Sequence, residues 1–188
     1  LGRYLMEKRC SCKFAHVLCF FILVMFGFIL AIDAPQAAQE KNQGKPCFNL
    51  TVKEFASNYD ATAKSCDSEQ RVNIAKQEEA TTMLVMSTSN GALVSTNTEG
   101  KISSILYIGT GDGTVKSGAN IITGIIFTIA AIKPEWEPSK RGDVMRKLGL
   151  LGNDGNLPKS SQTVMDGVQF TFSFSQEIGV MLGIDPLK

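Results

Sequence analysis

The cleanest alternation of apolar and polar positions lies near the C-terminus. Val168, Phe170, Phe172 and Phe174 alternate with Gln169, Thr171 and Ser173, the period of two that sends successive side chains to opposite faces of a half-buried strand. Ile178, Val180, Leu182 and Ile184 alternate likewise with Gly179, Met181 and Gly183, so a turn over 175–177 predicts a C-terminal hairpin. Upstream, 81–88 (TTMLVMST) predicts a strand, and Ser89-Asn90-Gly91 a tight turn, because Asn and Gly accept positive φ. A returning strand over 92–97, a second turn at 98–100 and a strand over 101–108 complete a meander, since short connections imply antiparallel neighbours. Residues 71–79 (RVNIAKQEE) alternate weakly and fit an edge strand or a helical turn.

Helical spacing appears three times. Val52, Phe55, Ala56 and Tyr59 share one face behind Thr51-Val-Lys-Glu54, the pattern of a capping box. Ile121, Ile122, Ile125, Ile126, Phe127, Ile129 and Ile132 cover nearly every side of 121–132, which predicts a buried helix. Twelve residues fall short of the roughly 20 that cross a bilayer. A third helix starts at Pro138, where a missing N–H is harmless, and carries Val144, Met145 and Leu148 inward. Residues 151–162, rich in Gly, Asn, Asp, Pro and Ser, read as a surface loop. The order predicts an α+β domain: an antiparallel sheet (three-strand meander plus C-terminal hairpin) packed against two or three helices in two layers. Helix followed by hairpin occurs twice, without a convincing internal repeat.

The first 38 residues stand apart. Lys8, Arg9 and Lys13 precede an apolar run from Val17 to Ile32 and a short Asp-Ala-Pro-Gln-Ala-Ala stretch, the layout of a secretory signal with Met6 as its start. Sixteen apolar residues favour cleavage over spanning; an uncleaved single-pass anchor is the alternative. We read 1–38 as the export signal, 39–46 as a polar linker and 47–188 as one domain, periplasmic or secreted, or anchored and facing away from the cytoplasm.

Composition narrows the chemistry. His16, the one histidine, sits in the export segment, so the domain lacks the residue needed for Ser-His-Asp or Cys-His catalysis and for histidine-bound zinc. From Gln39 onward 15 Lys and Arg stand against 16 Asp and Glu, a net of −1, which gives nucleic acid no electrostatic footprint. Cys10, Cys12 and Cys19 belong to the export segment, leaving Cys47 and Cys66 as an even pair that predicts a disulfide in an exported domain.

Short strings add little. Residues 111–117 (GDGTVKS) resemble the end of a phosphate-binding loop, but Val115 stands where the glycine before the lysine is required. Lys116-Ser117-Gly118 lacks the accompanying Ser-x-x-Lys nucleophile. Arg141-Gly142-Asp143 falls in a predicted helix, and 153–156 (NDGN) lacks the spaced acidic ligands of a calcium loop. Asp112, Asp154 and Asp166 suit turns, where a carboxylate bonds nearby backbone. Asn49-Leu50-Thr51 is a glycosylation sequon.

No catalytic residue, metal or cofactor is therefore expected. The expected function is an exported, non-enzymatic protein-binding domain of inhibitor or immunity type. Its partner is another exported or periplasmic protein, and the membrane is met only through an uncleaved N-terminal segment. Asp112, Lys116, Trp136 and Asp154 are the candidate contacts, being on or beside loops held by a scaffold. The alternative is a carrier of a small apolar ligand between helix and sheet, with Phe127, Phe170, Phe172 and Phe174 as pocket walls.

Overall fold

The computed structural model describes residues 45–152 and 157–188. The export segment, the first part of the linker and Asp154 lie outside the described residues. Helix α1 (Val52–Ser65) is followed by β1 (Asn73–Gln77), β2 (Thr81–Val85), β3 (Asn90–Thr96) and β4 (Ile102–Gly109). Helices α2 (Val115–Ile132) and α3 (Pro138–Lys147) then lead into β5 (Ser160–Met165), β6 (Val168–Ser175) and β7 (Gly179–Pro186).

The seven strands form one antiparallel sheet in the order β1-β2-β3-β4-β7-β6-β5. Two helix-plus-meander halves thus meet where β4 pairs with β7, Tyr107 opposite Leu182. The α+β, two-layer, antiparallel architecture expected from the pattern is the one observed. Two details differ. β1 is the edge strand that residues 71–79 allowed, and β5 extends the C-terminal hairpin into a second meander from within the stretch read as loop. With no position of β5 buried on either face, SSQTVM carries no apolar alternation to betray it.

Local chemistry explains the helix ends. The Thr51 hydroxyl accepts the Glu54 N–H at 3.3 Å and the Glu54 carboxylate accepts the Thr51 N–H at 2.7 Å, so the capping box starts α1. α2 begins at Val115, six residues earlier than the isoleucines suggested, because Thr114 is its N-cap and accepts the Ser117 N–H at 3.1 Å. At 18 residues α2 is long and apolar enough to cross a membrane by length and composition. In this structure it lies on the sheet with Ile125 and Ile129 fully buried. The Asn90-Gly91 pair is not a turn either. The chain reverses over Ser87–Ser89, closed by Met86 N–H to Asn90 O at 2.9 Å, and Asn90 enters β3 as a buried residue.

Burial of Asn90 has a reason in the core. Its Nδ2 donates to Asn120 O of α2 at 3.0 Å, Gln70 Nε2 donates to the same oxygen at 3.1 Å, and Tyr107 Oη donates to Ile121 O at 3.0 Å. A helix carbonyl has a second lone pair beside the one its own helical bond uses; at Ile121 it takes Tyr107, and at Asn120 the two amides share it. Tyr59 Oη completes the network by donating to Gln70 Oε1 at 2.6 Å. Burial, and after it the Asp60 carboxylate, pushes the Tyr59 phenol well above its ordinary range; burial does the same for Tyr107. Both stay protonated donors. Around them Phe55, Leu84, Ile105, Ile125, Phe172 and Leu182 form one apolar cluster, each worth about 1.5–3 kcal/mol on burial.

The close approach of α2 to β4 depends on Gly124. A Cβ there would lie 2.5 Å from Tyr107 Oη and 2.9 Å from Asn90 Nδ2. Gly124→Ala gains about 1 kcal/mol of helix propensity but incurs overpacking and the loss of a buried hydrogen bond, about 1–3 kcal/mol each. We expect a net loss of about 2 kcal/mol, read as a lower urea midpoint at unchanged slope.

Candidate functional site

The described helices cover one face of the sheet, and no described helix covers the other. In β2, β3 and β4 the inward residues Leu84, Val94, Ile105 and Tyr107 are fully buried, so their neighbours at alternate positions point away from the helices. Several of those outward positions are also apolar, although Thr81, Ser95 and Ser104 share the face. Met83 is 46 % exposed, Leu93 39 % and Val85 37 %, and Leu106, Ile108 and Met181 are half-buried.

Register brings these six together. Met83 pairs with Leu93 and Leu93 with Leu106, while Val85 pairs with Gly91, Gly91 with Ile108 and Ile108 with Met181. Directly opposite residues share a face, so two adjacent apolar rows cross the sheet. Gly91 interrupts the second row. A groove of about 370 Å³ follows, walled by Met83, Val85, Leu93 and Ile108 and closed at one end by Ser89 and Thr110. Thr110 N–H donates to Ser89 O at 2.8 Å, fixing that end. Few charges touch the face. Lys76 lies opposite Met83, paired with Glu78 at 2.6 Å, and Asp185 leans over Gly183 of β7, 4.0 Å from where a Cβ would stand.

The residues singled out from sequence lie elsewhere. Asp112 sits in the exposed loop before α2, where its Oδ1 accepts the Thr114 N–H at 2.9 Å and the Thr114 hydroxyl at 2.7 Å. The Ser117 hydroxyl, then the Thr114 hydroxyl and N–H, hold its carboxyl down to about 2. Asp112 therefore organises the start of α2. Lys116 is exposed on the first helical turn. Trp136 is not an exposed contact: at 5 % exposure it packs on Phe170, ring centres 6.3 Å apart, under Lys140 Nζ at 5.0 Å. Lys140 in turn pairs with Asp166, whose φ of 47°, followed by Gly167 at 72°, makes the two-residue β5–β6 turn. Asp154 falls outside the described residues.

The phenylalanines singled out as pocket walls divide between the core and the surface. Phe127, Phe170 and Phe172 are at most 3 % exposed and belong to the core, Phe127 meeting Tyr59 edge-on at 5.6 Å. Phe174 is 40 % exposed although it continues the same alternation. The expected Cys47–Cys66 disulfide is also corrected, for both thiols are free and exposed. Cys47 Sγ accepts from Asn97 Nδ2 at 3.6 Å, by the β3–β4 turn, while Cys66 is the C-cap of α1. The 14-residue helix between them is about 21 Å long, against the roughly 4–7 Å between Cα atoms that a disulfide spans.

Among the described residues no three His, Cys, Asp or Glu side chains gather as metal ligands. The chain was compared with known protein families, curated proteins and solved structures, and it matches none of them.

Alkylation of the folded chain without reductant should label both the Cys47 and the Cys66 peptides on mass mapping; an unlabelled, linked pair would contradict the separation described above. Because the Asp112 carboxyl titrates below its ordinary value of 3.8, its contribution is fully present above that pH and lost as pH falls to about 2. Amide exchange at Thr114 should accelerate over that acid window in the native chain and be fast throughout in Asp112→Ala.

Proposed function

We propose that the chain is an exported, non-enzymatic protein-binding domain of inhibitor or immunity type, and that the open sheet face is its contact surface. One observation supports this reading above others: six aliphatic and methionine side chains lie contiguous on a face that the helices do not cover. A contiguous exposed apolar patch on a folded domain marks an interaction site. Methionine enrichment and charge depletion are the compositional signs of an interface centre, and Met83, Met181 and the scarcity of charged neighbours match them. The partner would be another exported or periplasmic protein that presents an apolar surface of its own. A carrier role between helix and sheet has less support, since the aromatic side chains there pack on one another.

Leu93→Arg places a charge at the centre of the patch on a side chain that is 39 % exposed, so stability should change by only about 0.5 kcal/mol. In affinity purification from the host, the tagged wild-type chain should retain a stoichiometric protein that the folded variant loses. Equal recovery by both would contradict the assignment of the open face.

A further inference from the structure

We infer that the partner seated on the open face is a second copy of this chain, packed face to face; this rests on the protein-binding reading above. The strand register carries the inference. Consider a two-fold axis that crosses the strands over the row Leu84, Ala92, Tyr107 and Leu182, which are consecutive partners in the sheet. That axis exchanges the outward positions on either side of the row in each strand: 83 with 85, 93 with 91, 106 with 108 and 183 with 181.

The exchanged pairs are complementary in size. Leu93 of one copy enters the notch at Gly91 of the other, and Met181 meets Gly183 beside the Asp185 side chain that leans over it. Met83 meets Val85 and Leu106 meets Ile108, apolar against apolar. An isologous interface needs this kind of self-complementarity, because the same patch must serve both subunits.

Charge obeys the same operation. Lys76 lies opposite Met83 and Asn73 opposite Val85 in β1, so Lys76 of one copy faces Asn73 of the other. Asp185 faces Gly179, since 185 and 179 flank Leu182 at equal distances. Glu78 remains beside its own Lys76. Among these residues no two like charges meet across the axis, and the two sheets close into the sandwich that antiparallel sheets form through their apolar faces.

The test is sedimentation of the full chain over a range of concentrations, with two exposed substitutions that face each other across the axis. The wild-type chain should sediment at twice its own mass at high concentration. Met83→Lys and Val85→Glu should each lose the dimer. The double variant should regain it, because the introduced ammonium of each copy then faces the introduced carboxylate of the other. Dimers in both single variants, or a double variant that remains monomeric, would overturn the inference. A monomeric wild type would overturn it too, and the companion purification then separates the two readings. If Met83→Lys sheds a different protein that the wild type holds, the protein-binding reading stands without self-association. If it sheds nothing, both fall.

Discussion

The contact between α2 and β4 is the constraint on which the rest of the structure depends. Tyr107, Asn90 and Gln70 donate into the carbonyls of Asn120 and Ile121, and the absence of a side chain at Gly124 lets the helix settle onto them. These are buried donors, so leaving any of them unpaired costs about 1–3 kcal/mol. The network therefore fixes both the height and the rotation of α2. Loop 110–114 is the short path that delivers the chain from β4 to that position, with Asp112 and Thr114 holding its end.

Once α2 is fixed, one side of the sheet is filled. α1 packs beside it through Tyr59 and Phe127, and α3 follows after the Trp136 corner, so the three described helices lie in one layer. The chain then returns as β5–β6–β7 and pairs β7 with β4, extending a four-strand meander to seven strands. No described helix covers the other face. Its apolar rows are therefore a product of topology: β2, β3 and β4 carry apolar residues at both parities, and helices are present for only one of them.

Much of this was legible in the sequence, and the exceptions have physical causes. The phenylalanine alternation in β6, the capping box at Thr51 and Glu54, and the inward residues of α3 were readable because one local signal dominates each. β5 was not, since an edge strand has little to bury. Asn90-Gly91 misled because Asn serves as a buried donor to α2, a role set by a residue 30 positions away. Spacing alone suggested the Cys47–Cys66 disulfide, but the helix between them is a rigid rod. The open face did leave a trace. TTMLVMST and ISSILYIG are apolar on adjacent positions as well as alternate ones, the mark of strands meant to be covered on both sides, and an alternating reading assigns only half of those residues. Asp112, Lys116 and Trp136 drew attention as loop or corner residues, whereas the apolar rows lie within regular strands.

The α2–β4 contact and the β4–β7 pairing together unite the two helix-plus-meander halves into one cooperative unit, the central claim made for this fold. Native-state hydrogen exchange, followed by mass spectrometry in rising denaturant, tests it most directly. Ladder amides of β4 and β7 and the central amides of α2 should share the slowest exchange class and open together, with β1 exchanging far sooner. Exchange of β5–β7 as a separate unit while β2–β4 and α2 stay protected would contradict it.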